Sequence, residues 1–274
     1  VKLSLSEIST VAAPFSEDVE AYADAGFDGI GLWEFKLPAD DGANVERLER
    51  AGLGVSNCVP TVPSILPLRI AGMEGPQDPE ERIRALCASM ARLAQYHPAS
   101  VLILTGPSGD LGAVEARRVV VDGLPRVAEA AEAAGVRLGL EPIHPNEVDE
   151  ASFIHTLGEA AGLLAEAGLD RLGIMLDTFH VADGPDFEAE AERYADRITG
   201  VHVADRRSPD HEERVLPGEG LSRTREVVAR LAARGFDGYL DVEIFSTPDG
   251  FWGLPAAEAA RRAHAAASTL LAPA

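Results

Sequence analysis

Along the chain, short apolar runs of β-prone residues alternate with longer stretches rich in Ala, Leu, Arg and Glu, where apolar positions return at helical spacing. The runs predict strands at 2–6, 29–34, 54–59, 101–105, 137–141, 173–177, 200–204 and 239–245, about the eight that close a parallel barrel. Between them the spacing predicts helices, among them 79–96, 113–134 and 151–167, several ending at a glycine suited to a left-handed cap. The pattern repeats internally. "AGFDGIGLWE" and "RGFDGYLDVEIF" share one order of helix end, turn and strand, and "AAGVRLGLEP" and "EAGLDRLGIMLD" are looser copies. A repeated βα unit of this kind predicts an α/β fold, a (β/α)8 TIM barrel, with 1–274 as a single domain.

An open doubly wound sheet would alternate in the same way. It would carry a glycine-rich phosphate fingerprint after the first strand, where this chain has "SEISTVAAPF". The Pro- and Gly-rich connections, such as "PTVPSILPL" and "TGPSGDLG", follow candidate strands and so fall on the face where barrel enzymes keep their chemistry.

Strands buried on both faces need continuous apolar sequence, so a charge is tolerated where the strand emerges at its C-terminal end. The fifth to eighth predicted strands carry such a residue: Glu141 in "RLGLEPIHP", Asp177 in "GIMLD", His202 in "GVHVAD" and Glu243 in "LDVEIFS". Any one of these acids alone reads equally as a helix cap or a salt-bridge partner. Three carboxylates aimed at one mouth repel unless a cation or shared protons offset the charge. One divalent metal ion is the simplest solution. Oxygen-rich ligation with a single imidazole favours Mn²⁺, with Mg²⁺, Co²⁺ or Zn²⁺ as alternatives.

Composition narrows the partners. With 24 Lys+Arg against 45 Asp+Glu, a net charge of −21 disfavours nucleic acid and anionic membrane surfaces. The two cysteines, Cys58 and Cys87, have no metal or redox spacing, and no secretory leader or long uncharged apolar run stands out; the expectation is a soluble, cytoplasmic protein. A homo-oligomer is expected only from the general frequency of symmetric assemblies.

The words "LEPIHPNE", "MLDTFH", "GVHVAD", "RVLPGEG" and "DVEIF" resemble the sugar phosphate isomerase/epimerase superfamily with its xylose isomerase-like barrel. That group includes tagatose-type epimerases, hydroxypyruvate isomerase, inosose dehydratase and the endonuclease IV branch, and the likeness spans nearly the whole chain. It implies that Glu141, Asp177, His202 and Glu243 hold the metal. It further implies that Glu141 and Glu243 move protons on opposite faces of a small keto sugar or hydroxy ketone, through a cis-enediolate. His180, three residues past Asp177, and Glu147, six past Glu141, match substrate-side residues of the epimerases. Counted back from Gly218, Arg214 falls where those relatives place an arginine on substrate oxygens. Counted forward from His202 the match fails, because "DRRSPDHEE" is longer, which leaves Arg206 and Arg207 as rivals.

His144 is a general base or supporting residue in a dehydratase-like enzyme, or a plain loop histidine. Glu34, beside Trp33, is a hydroxyl-binding or a structural acid. Trp252, beside Phe251, is either an apolar lid or packing under the last helix. His97, His155, His211 and His264 are given no chemistry. The function expected is a metal-dependent isomerase or epimerase. The alternatives are a lyase using the same enolate chemistry (an inosose or dehydroshikimate dehydratase, or a carbon-glycoside-cleaving enzyme) and a non-catalytic sugar-binding barrel. The endonuclease branch needs further histidines where this chain has Asn57, Cys58, Val59, Leu104, Thr105 and Gly106.

Overall fold

The computed structural model describes residues 1–182, 184–208 and 213–271. Eight parallel strands close into a barrel: β1 (Lys2–Ser6), β2 (Gly29–Trp33), β3 (Gly54–Val59), β4 (Ser100–Ile103), β5 (Leu138–Leu140), β6 (Gly173–Asp177), β7 (Ile198–Val203) and, after an inserted hairpin, β10 (Tyr239–Val242). The first strand pairs with both β2 and β10, so no edge is left open. The hairpin, β8 (Asp205–Arg206) with β9 (Arg214–Val215), is antiparallel and sets Arg206 opposite Arg214. Its two strands flank the stretch at which the forward count from His202 fails.

Helices pack outside the barrel by their apolar stripes. The helix α3, Pro79–Leu93, begins at Asp78, whose side chain caps Glu80 N–H, and buries Ile83, Leu86, Met90 and Leu93 on one face. The long helix α4, Gly112–Ala134, does the same with Val120, Leu124, Val127 and Ala131. The helix expected at 151–167 is shorter, α5 at Leu157–Glu166. Thr156 sets its start by accepting from Glu159 N–H, while the Glu159 carboxylate accepts from His155 N–H. Before that cap, residues 148–151 form a turn and Ser152 is bridged to Gly106.

Two apolar clusters result. The larger fills the space between barrel and helices. The smaller, with Ile8, Trp33, Val59, Leu102, Leu104, Ile143 and Met175, lies inside the barrel and over its mouth. Bare glycines make room in the interior: a Cβ on Gly31 would stand 2.2 Å from Oδ2 of Asp241, a side chain that occupies the barrel's centre. The expected strand positions hold, with ends shifted by a few residues, so that Glu141 and Glu243 lie one residue beyond their strands. The ladder continues through them, because Glu141 N–H donates to Ile103 O and Glu243 N–H to Val203 O.

Candidate active site

The C-terminal ends of β5, β6, β7 and β10 bring Glu141, Asp177, His202 and Glu243 to one buried place. Register explains part of this, since Asp177, His202 and Asp241 are successive neighbours across the ladder. Glu141, Asp177 and His202 each offer a donor atom within 4.8 Å of the others. Nδ1 of His202 lies 3.2 Å from Oε1 of Glu141 and 3.5 Å from Oε2 of Glu243. Its other nitrogen, Nε2, points back to Oδ2 of Asp241 at 3.7 Å.

Asp241 is the residue that sequence reading missed. It is fully buried beneath His202, and accepts from Asn57 Nδ2 at 2.8 Å and from Ser56 Oγ at 3.1 Å. The signal was present: Asp241 and Glu243 stand two apart on one strand and so share a face. Asp241 places a negative charge behind His202 Nε2, at 3.7 Å and so beyond hydrogen-bond reach, and helps to raise the imidazole's pKa.

Arg214 completes the cluster. Its Nη1 donates to Oδ2 of Asp177 at 2.6 Å and to Oε2 of Glu243 at 3.0 Å, and Nη2 lies 3.0 Å from Nε2 of His180. The guanidinium stacks on the Phe179 ring, 4.6 Å from its centroid, and Arg206 stacks on the same ring at 4.1 Å. Of the three candidate arginines, Arg214 reaches the acids. Arg206 donates to Phe179 O and Arg207 pairs with Glu213 at the surface. The turn that returns the chain from β9 is held by Asp205, whose carboxylate accepts from Gly218 and Gly220 N–H; Gly218 has φ +91, a conformation suited to glycine.

The electrostatics of this cluster fit a divalent cation. Among the described residues, four buried acids (Glu141, Asp177, Asp241 and Glu243) meet one guanidinium and the imidazole of His202. Burial pushes the Glu141 carboxyl up to about 7, against the pull of His202. Burial alone would keep His202 neutral, but the carboxylates of Glu243 and Glu141 lift it to about 10. Asp177, despite its burial, is held at about 2 chiefly by the charge of Arg214. Without a further cation, the acids draw a proton onto His202. Burial, joined by the charge of Arg214, keeps His180 well below its usual value and neutral.

The acids open into a cavity of about 200 Å³, lined on this side by Glu141, Glu147, His180, Arg214 and Glu243. Nδ1 of His180 accepts from His144 N–H at 3.2 Å and lies 3.7 Å from Glu147. The His144 ring sits on the far side of His180, where its Nδ1 accepts from Asn146 N–H and it lines a second cavity with His155. Glu34 faces away from the site: its Oε2 accepts from Thr61 N–H and from Ser89 Oγ, and Arg92 approaches its other oxygen. Trp252 donates its indole N–H to Ile244 O and packs on Phe245, and it is Phe245 that lines the cavity. His211 lies outside the described residues. His97 ends a one-turn helix and His264 packs edge-on to Phe27.

The chain is similar to the inosose isomerase of Halalkalibacterium halodurans, 30% identical over 156 residues, which is 54% of this chain and 53% of that protein. Similarity to the 3-dehydroshikimate dehydratase of Pseudomonas aeruginosa is longer, 28% over 269 residues, 92% of this chain but 39% of that enzyme. The chain thus spans about half, or less, of the length of these curated relatives. Among solved structures, the IolI protein with a bound zinc atom superposes with a TM-score of 0.80 at 21% identity, over 99% of this chain and 98% of that one. Given the closed barrel, and a family profile that matches residues 19–269, the chain belongs to the xylose isomerase-like TIM barrel family.

Proposed function

We propose that the protein is a divalent-metal-dependent isomerase or epimerase of small keto sugars or hydroxy ketones, working through one barrel formed by 1–274. The observation that carries this reading is that Glu141 and Glu243 both approach His202 Nδ1, at 3.2 and 3.5 Å, and both line the same cavity. Glu141, Asp177, His202 through Nδ1, and Glu243 would hold the ion, with Mn²⁺ first among the candidates and the zinc of the IolI relative as the precedent for an ion in this fold. A divalent cation held there supplies a fixed positive charge beside the carbonyl and hydroxyl oxygens of the substrate, lowering the cost of taking a proton from the carbon between them.

The chain's own residues do the rest. One of Glu141 and Glu243 takes the proton from that carbon, and the other returns a proton to the enediolate. Arg214 and His180 orient the substrate oxygens, and Glu147 sits beside them at the cavity wall. No helix among the described residues is long and apolar enough to cross a membrane, and the acidic surface suits a small neutral substrate more than a polyanion.

A lyase that expels a β-leaving group from the same enolate is the second reading, favoured by the length of the match to the dehydratase. The test is solvent deuterium uptake at the carbon next to the carbonyl, over a panel of ketoses and cyclic hydroxy ketones with Mn²⁺. Exchange with return of isomer or epimer supports the first reading, an unsaturated ultraviolet-absorbing product the second, and no exchange with any of them sinks both.

A further inference from the structure

Arg214 has two kinds of neighbour. Among the described residues, its polar ones all belong to the acid cluster. Nη1 donates to Oδ2 of Asp177 and Oε2 of Glu243, with Glu243 O at 3.4 Å, and Nη2 meets His180 Nε2. The others are aromatic: Cζ of Arg214 stands 4.6 Å from the centroid of Phe179 and 5.0 Å from that of Phe245. Phe179 is fixed through both of its backbone groups. Its N–H donates to Oδ1 of Asp177 at 2.9 Å, and its carbonyl accepts from Arg206 Nη2 at 3.2 Å. Arg206 also lies over the ring, at 4.1 Å, and it faces Arg214 across the β8–β9 hairpin. One ring, 2% exposed, thus meets a guanidinium from each strand of the hairpin.

An ion held by Asp177 and Glu243 draws on the same carboxylates that Arg214 uses, and two neighbouring cations repel. His180 offers no replacement: its Nδ1 lone pair is taken by His144 N–H, which leaves the proton of the neutral ring on Nε2. What still attracts the guanidinium is the negative face of an aromatic ring, and burial keeps water from competing for it. Phe245 is the farther ring and only partly buried. We propose that Phe179 is a positioning residue, which keeps the guanidinium of Arg214 at the cavity when Asp177 and Glu243 turn to the ion. This rests on the reading of the acid cluster given above, in which Arg214 binds substrate oxygens, and it adds the group that aims that arginine.

The test keeps the shape of the ring and changes its charge. Phe179 is replaced in turn by its monofluoro, difluoro and trifluoro analogues, which make the ring face steadily less negative at nearly constant size. The first readout needs no substrate: the order parameter of the Arg214 Nε–H, assigned by its loss in Arg214→Met, in protein loaded with diamagnetic Zn²⁺. It should fall along the series from about 0.85 to below about 0.6, and stay high throughout in chelator-treated protein, where the acids hold the arginine. The second is deuterium uptake at the reacting carbon with Mn²⁺ present. KM should rise about tenfold over the series while kcat changes by less than about twofold, and in the Arg214→Met background fluorination should leave KM unmoved. An order parameter indifferent to fluorine in the loaded protein, or a KM trend of equal size in the Arg214→Met background, overturns the positioning role and leaves the proposed activity standing. No uptake with any ketose or cyclic hydroxy ketone, by wild type carrying stoichiometric Mn²⁺, overturns the activity and this role together.

Discussion

Nη1 of Arg214 donates to Oδ2 of Asp177 across 2.6 Å, with both side chains buried. The same nitrogen reaches Glu243, so one guanidinium neutralises two of the three acids proposed to hold a metal ion. Nδ1 of His180 already accepts from His144 N–H, and a neutral imidazole has only one lone pair to offer. The 3.0 Å approach of Arg214 Nη2 to His180 Nε2 is then no hydrogen-bonded anchor, and the carboxylates are what hold this arginine.

Replacing Arg214 by Met therefore leaves Asp177 and Glu243 buried without their counter-charge. The metal-free variant should lose about 3–5 kcal/mol, the usual result of removing one member of a buried pair. Mn²⁺ should raise its melting temperature by more than it raises that of the wild type, since the ion no longer competes with a resident guanidinium. Equal shifts, measured by calorimetry with and without chelator, count against that competition.

Glu243→Gln keeps the size of the side chain and removes its capacity to carry a proton. Deuterium uptake should fall by about 10²–10⁴-fold, the usual worth of a positioned acid or base, with the fold intact by circular dichroism. Near-wild-type exchange in this variant would remove Glu243 from the chemistry.

Asp241→Asn leaves the four proposed ligands in place but removes the negative charge that stands 3.7 Å from His202 Nε2. Cation affinity should drop by about 10–100-fold, as is usual when the group behind a ligating histidine is changed. Titration followed by isothermal calorimetry reads this directly. An unchanged affinity means that Asp241 serves only the hydrogen bonds to Ser56 and Asn57.

Away from the site, Glu7 offers a pH test. Burial, aided by Asp18 and opposed by Lys36, pushes its carboxyl from 4.5 up to about 8. Between those values the folded state holds a proton that the unfolded state has released. Its contribution to stability is full below about 4.5 and is lost as pH rises towards 8, at up to about 1.4 kcal/mol per pH unit. Glu7→Gln removes this slope, so melting temperatures of variant and wild type should diverge steadily from pH 5 to pH 8, in the variant's favour at the alkaline end. Parallel curves would show that Glu7 titrates alike in both states.

Much of this protein was legible in its sequence, for reasons that are local. A strand buried on both faces must be apolar until it emerges, so "GIMLD" and "GVHV" announce both a strand and the end at which chemistry is exposed. The capping pair Thr156 and Glu159 was equally readable, and would have moved the start of α5 from 151 to where it lies. What only the tertiary structure decided are relationships between residues far apart in the chain. Which arginine reaches the acids depends on a hairpin whose length decouples sequence count from position. That Glu34 turns outward depends on Ser89 and Thr61 reaching it first. That one wall of the cavity is apolar depends on β2, β3 and β4 lying side by side with the loop after β3 once the barrel has closed. Side-chain periodicity says which face of an element is buried, but not what it is buried against; that is set when the barrel closes.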